Sequence, residues 1–169
     1  AHAGQGCALG TRLFVPEDAK AEVLDKAAAM MAALKVGPAR DPETRTGPVI
    51  SAAQRARCEH FVTEAVKHGG RVITGGKRPA HLSKGYYFEP TLLDLPDNEN
   101  PAAQEEIFGP VAAVIGYRDL DHAIAMANNS RFGLSGYVHG ADRKAALEVA
   151  LRLRSGTVNV NGALMSSHV

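Results

Sequence analysis

Cys7 lies in the segment Gly4-Gln5-Gly6-Cys7-Ala8-Leu9-Gly10, directly ahead of Thr11-Arg12-Leu13-Phe14-Val15. A thiol in a glycine-rich turn can be exposed, approached closely by a ligand and set beside backbone N–H groups. Those conditions turn a small hydrophobe into a nucleophile. The other reading is a buried free thiol that serves packing. A nucleophile needs partners, and only six residues of the chain precede Cys7. The second cysteine, Cys58, shares a helical apolar face with Phe61, Val62, Ala65 and Val66, so it reads as a packing residue.

Other candidate chemistry is sparse. Gly4, Gly6 and Gly10 miss the G-x-G-x-x-G dinucleotide spacing by one residue, and no strand precedes them. Gly75-Gly76-Lys77 lacks the first glycine and the hydroxyl residue of a P-loop. The seven histidines show no metal-binding spacing, so no metal site is expected; His60 and His68 read as the solvated side of one helix. Glu105 and Glu106 are adjacent, so in extended backbone they point opposite ways and form no carboxylate dyad. One of them can accept hydrogen bonds from hydroxyls such as a ribose diol; a solvated loop is the alternative.

These residues sit in a chain of 169, enough for one domain with a real core. Hydrophobic residues make up 45% and charged residues 22%, the balance of a globular protein. A net charge of +1 and the absence of Trp argue against nucleic acid and anionic membrane as partners. Two cysteines in unrelated contexts point to a reducing, cytoplasmic setting. No apolar run approaches the roughly 18 residues of a membrane span. The chain does not begin with Met, and a piece of a longer protein is the expectation.

The elements that must position Cys7 follow from periodicity. Residues 11–15 read as a strand, and a helix starts at Pro16-Glu17-Asp18 with Val23, Leu24, Ala27, Met31 and Leu34 on its apolar face, ending at Gly37-Pro38. A loop leads to Gly47-Pro48-Val49-Ile50. Ser51 with Gln54 fits a capping box for a second helix, which Gly69-Gly70 stops. Strands are predicted at 71–74, 86–88, 91–93, 111–115, about 133–138 and 157–160, with a polar loop over 94–104. Further helices are predicted at about 119–128 and 142–154. Short β-branched runs alternating with helices give an α/β fold: three layers, α-β-α, a largely parallel twisted sheet with helices on both faces.

Taken together, these segments resemble the catalytic domain of the aldehyde dehydrogenase superfamily, nearly end to end and in order. The Gly4-Gln5-Gly6-Cys7 segment resembles the active-site cysteine segment, and Gly47-Pro48-Val49-Ile50 with Gln54 the entry to the next helix. Tyr86-Tyr87-Phe88-Glu89-Pro90-Thr91-Leu92 resembles the family's aromatic-to-PTL stretch, and Glu105-Glu106-Ile107-Phe108-Gly109-Pro110-Val111 its glutamate motif. Asn128, Phe132-Gly133-Leu134 and Gly156-Thr157-Val158-Asn159-Val160-Asn161 complete the match.

The resemblance implies that Cys7 is the catalytic nucleophile, oxidising an aldehyde through a thiohemiacetal and a thioester, with its own backbone N–H helping to hold the oxyanion. It implies NAD or NADP as cofactor, with Glu106 on the nicotinamide ribose, Phe108 beside the nicotinamide, and Gln54 and Arg57 at further cofactor contacts. Arg12 is expected to support the fold. Residues 1–169 would then be a truncated catalytic domain, its Rossmann-type cofactor domain lying outside the chain. The family's water-activating glutamate and oxyanion asparagine, both upstream of the cysteine, would also lie outside it. The parent enzyme is expected to be a homodimer or homotetramer, and the 169-residue piece to lack turnover. Leu9 stands where a small residue is usual, and Gly6 is less usual in its place. Two alternatives are a stand-alone thiol esterase acting through Cys7 and a non-catalytic fragment that binds a partner.

Overall fold

The computed structural model describes residues 2–162. Its main sheet has four strands: β1 (Arg12–Pro16), β2 (Arg71–Thr74), β3 (Thr91–Leu95) and β4 (Val111–Tyr117), in the order β1-β4-β3-β2. β1 pairs parallel with β4, and β4 parallel with β3, while β2 closes one edge antiparallel to β3. All five residues of β3 are buried, which suits a central strand covered on both faces.

Alternation along the strands sorts the core into two layers. Leu92 and Val114 turn to one face, where they meet Leu24, Ala27 and Met31 of α1 (Lys20–Ala32). Leu93, Leu95, Ala113 and Ile115 turn to the other, where they meet Cys58, Phe61, Val62 and Ala65 of α2 (Ala52–Lys67). The short α3 (Pro101–Gln104) adds Ala102 and Ala103 to that second layer, and α4 (Leu120–Asn128) adds Met126. Helices therefore cover both faces of a mostly parallel sheet. β5 (Ser135–Val138), α5 (Arg143–Ala150) and β6 (Thr157–Val160) form a separate βαβ unit whose two strands pair parallel. The α/β class holds, but the single expected sheet is two sheets among the described residues. No helix among them is long and apolar enough to cross a membrane.

Several expected boundaries move. Glu17–Ala19 is a 3-10 turn before α1, which stops at Ala32; Leu34 is exposed, and Val36 bridges to Thr46 instead. Val66, expected on the apolar face of α2, is half exposed. Residues 86–88 are not a strand: their bonds are isolated ones, such as Val49 N–H to the Tyr86 carbonyl, and Pro90 has no N–H to extend a ladder. The loop predicted over 94–104 contains the end of β3 and the whole of α3. Asn100 caps α3 through Ala102 N–H and Pro101 takes its first position, a local signal for a helix start. α5 ends at Ala150, because the bonds of residues 152 and 153 shorten to three-residue turns. The terminal Met165-Ser166-Ser167-His168-Val169 lies outside the described residues.

One ion cluster ties α1 and β2 to the centre of the sheet. Asp94 in β3 is bridged by Lys20 at 2.7 Å and Arg71 at 2.5 Å. Burial pushes the Asp94 carboxyl up, but hydrogen bonds and charge from Lys20 and Arg71 outweigh it and leave it below the usual carboxylate range. A carboxylate held low adds stability above its unfolded pKa of about 4, and that stability is lost as pH falls through the lower folded value. Asp94→Ala strips the largely buried Lys20 of its counter-charge. It is expected to cost about 3 kcal/mol at pH 7 and less in acid, once the Asp94 carboxylate of the parent is protonated, as read by urea denaturation at neutral and acid pH.

Candidate functional site

Cys7 is exposed in the turn that enters β1. Its segment is anchored at three points. Gln5 Oε1 accepts from Ile50 N–H at 2.9 Å. The Tyr137 hydroxyl donates to the Ala8 carbonyl, tying the segment to β5. Gly4, at φ 71, lies so close to Gly109 that a Cβ on it would stand 2.1 Å from the Gly109 carbonyl oxygen. Only glycine fits that place. The two unusual neighbours of Cys7 are spatial partners: a Cβ on Gly6 would sit 3.2 Å from Leu9 Cγ. The missing side chain at Gly6 makes room for the larger one at Leu9.

Cys7, Glu106 and Phe108 line one cleft of about 60 Å³. Glu105 and Glu106 both line this cleft, but they differ in partners: Glu105 bridges to Arg131, while Glu106 enters no ion pair among the described residues. Phe108 is held at φ 57, a left-handed conformation that costs a bulky side chain roughly 1–2 kcal/mol.

Gln54, Arg57 and Cys58 all face this loop from α2, at the i, i+3, i+4 spacing of one helix face. Gln54 Nε2 donates to the carbonyls of Ile107 and Phe108, both at 2.7 Å. Arg57 Nε donates to the Glu106 carbonyl at 3.0 Å, and Nη2 makes a second bond to the same oxygen. Its guanidinium also stacks 4.7 Å over the Phe61 ring. Of the predicted capping box, Ser51 Oγ does accept from Gln54 N–H at 3.1 Å, but the Gln54 side chain leaves the cap for the loop. Cys58 is fully buried, and burial raises its thiol pKa to about 11. A Cβ on Gly109 would lie 2.3 Å from its sulfur. Cys58 is thus the seat on which Gly109 rests.

The remaining candidates lie elsewhere. His60 packs edge-on against Phe61, and His68 Nδ1 contacts the Glu64 carbonyl. Gly75 and Gly76 turn at φ 73 and 77 below the Thr91 hydroxyl, which accepts from Gly76 N–H. Arg12 reaches Asn98 Oδ1 at 2.8 Å and the Ala127 carbonyl at 3.1 Å, so it joins β1 to the C-terminal end of α4. Sequence reasoning missed Asn98, whose amide also donates to the Met126 and Asn129 carbonyls, as well as Arg131 and Tyr137. These partners lie far along the chain from what they hold, and no local pattern marks them.

Comparison with known proteins places the chain in a family. The model of the aldehyde dehydrogenase family matches residues 1–169. A curated relative in Staphylococcus saprophyticus is 40% identical over 161 residues, 95% of this chain and 34% of its own length. The chain therefore spans about a third of the length of the curated relatives it matches. Among solved structures, an aldehyde dehydrogenase of Mycobacterium tuberculosis complexed with NAD+ superposes with TM-score 0.94 at 39% identity, covering 96% of this chain and 34% of that one. Betaine aldehyde dehydrogenase of Staphylococcus aureus in complex with NAD+ gives TM-score 0.93 at 37% identity, covering 96% and 33%. Because the family model matches residues 1–169, this chain belongs to the aldehyde dehydrogenase family.

Proposed function

We propose that this chain carries the nucleophile and the nicotinamide side of an NAD(P)-dependent aldehyde dehydrogenase. The observation that carries the reading is the shared cleft of Cys7, Glu106 and Phe108. Cys7 and Glu106 divide the work of the cleft. Cys7 Sγ forms a bond to the aldehyde carbon, and the carbonyl oxygen becomes an oxyanion beside the Cys7 backbone N–H. Glu106, outside any ion pair among the described residues, accepts hydrogen bonds from two vicinal hydroxyls, the donor set of a ribose. Phe108 gives the flat apolar wall that an aromatic ring packs against.

Glu106 and Phe108 would hold a nicotinamide there, and when bound it would supply the hydride acceptor that oxidises the adduct on Cys7. What remains on Cys7 is a thioester. Water then attacks the acyl carbon, the C–S bond breaks, and the acid leaves as the thiolate returns. The water-activating base and most of the cofactor surface belong, on this reading, to parts of the enzyme outside the chain. The solved relatives bound to NAD+ support the choice of cofactor class.

The test is aldehyde-dependent reduction of NAD+ or NADP+ by a full-length protein containing this chain. Cys7→Ala is expected to lower turnover by at least about a thousandfold. Glu106→Gln is expected to raise the cofactor KM by about tenfold through a weakened ribose contact. Turnover unchanged by Cys7→Ala overturns the reading. The 169-residue chain alone is expected to give no turnover, since hydride transfer needs an oriented cofactor.

A further inference from the structure

Three consecutive carbonyls, those of Glu106, Ile107 and Phe108, turn to one face of α2. Extended backbone cannot do this, because its successive carbonyls point to opposite sides. The left-handed Phe108 lets its own carbonyl and that of Ile107 turn the same way. A primary amide has two N–H donors on one nitrogen, one for each of two adjacent carbonyls. Gln54 Nε2 uses them that way, with equal distances of 2.7 Å. Arg57 holds only the Glu106 carbonyl, and Cys58 only fills space below Gly109. Gln54 is therefore the one side chain of this helix face bonded to the strained residue itself.

We propose that Gln54 is a positioning residue, whose side-chain amide gathers the Ile107 and Phe108 carbonyls and so fixes the Phe108 ring as the wall of the cleft beside Cys7. The value of this wall to catalysis rests on the dehydrogenase reading above; its geometry does not. Gln54 then reaches the cofactor through the loop it holds. Without its two donors, Phe108 has no reason to keep a left-handed backbone, and its ring swings from the cleft.

The experiment measures rate constants for labelling of Cys7 in the 169-residue chain by two reagents, iodoacetamide and the broad, flat N-phenylmaleimide. The readout is the ratio of the bulky to the small reagent, with Cys58 left unlabelled as the mark of an intact fold. Gln54→Met removes both donors at similar volume, Gln54→Lys keeps donors on a long arm, and Phe108→Ala removes the wall. The ratio is expected to rise about fivefold in Gln54→Met and in Phe108→Ala, and no further in the double variant. Gln54→Lys is expected to stay within about twofold of the parent, because its ammonium can still donate to both carbonyls. A Gln54→Met ratio within about twofold of the parent overturns the proposal, and so does full additivity with Phe108→Ala. Should Gln54→Met expose Cys58, Gln54→Asn, too short to span both carbonyls, takes its place under the same two criteria. Failure of the dehydrogenase reading would leave these ratios as they are and show only in turnover that survives Cys7→Ala.

Discussion

Iodoacetamide at pH 7 is expected to alkylate Cys7 and leave Cys58 untouched until the chain is unfolded. The two thiols differ first in access: Cys7 is exposed, and Cys58 has no accessible surface. They differ also in chemistry. A thiol with a pKa of about 11 is ionised in about one molecule in ten thousand at pH 7. At the unfolded value of 9.0 a cysteine is ionised in roughly one in a hundred. Ionisation alone therefore slows Cys58 by about a hundredfold relative to the unfolded thiol, and burial adds to that. Labelling followed by mass spectrometry, with and without urea, reads both sites at once. Denaturant should bring the two rates within about a factor of three of each other, because the unfolded chain offers both thiols to solvent. Equal labelling in the absence of urea would mean that α2 does not seat on the sheet as described. The same burial sets a limit at high pH. A thiol whose pKa is raised by folding gives its full stabilisation below the unfolded value of 9.0 and loses it as pH rises through about 11. The thermal midpoint is expected to fall across that window, and Cys58→Ala should flatten the fall.

How far this site was legible in the sequence depends on the range of the contacts that make it. Cys7 in its glycine turn, Ser51 as a cap and the apolar face of α2 are local patterns, and the structure places them where periodicity does. The central strands were legible as short apolar runs set between turn residues. What periodicity could not give was any meeting between residues 54, 58 and 109, or between 4 and 109, because such contacts exist only once the sheet has closed. Gln54 shows the cost of that blindness. Its spacing from Ser51 read as a capping box, yet its side chain is spent on a loop more than fifty residues away. Residues 86–88 failed in the other direction. Three aromatics in a row carry strand propensity, but Phe88 is fixed by packing in the core and no ladder partner reaches it. The resemblance to a family supplied the pairing of Cys7 with Glu106 that no spacing could supply. The cleft then gives that pairing a physical form.

Gly109→Ala is expected to be among the most damaging single substitutions in the chain, and Cys58→Ala is expected to relieve it. The added methyl would stand 2.3 Å from Cys58 Sγ, far inside van der Waals contact. The loop has little room to shift, because Gly4 also packs closely against the Gly109 carbonyl. Nor can the sulfur yield, since Cys58 is fully buried among Phe61, Val62 and Ile107. Overpacking of this kind costs about 3 kcal/mol. Cys58→Ala alone leaves a sulfur-sized void and costs about 1 kcal/mol. Placed together, the methyl of one fills the void of the other. Simple addition predicts a loss of about 4 kcal/mol, whereas complementary packing predicts less than about 1.5 kcal/mol. Urea denaturation of the four proteins of the cycle decides between these values, and an additive result would remove Cys58 as the seat of the loop. The same cycle reaches the chemistry. A loop lifted by Gly109→Ala carries Phe108 and Glu106 away from Cys7, so the ratio of bulky to small labelling at Cys7 should rise with the loss of stability and return in the double variant. A buried packing thiol would then govern the shape of the cleft around the exposed one.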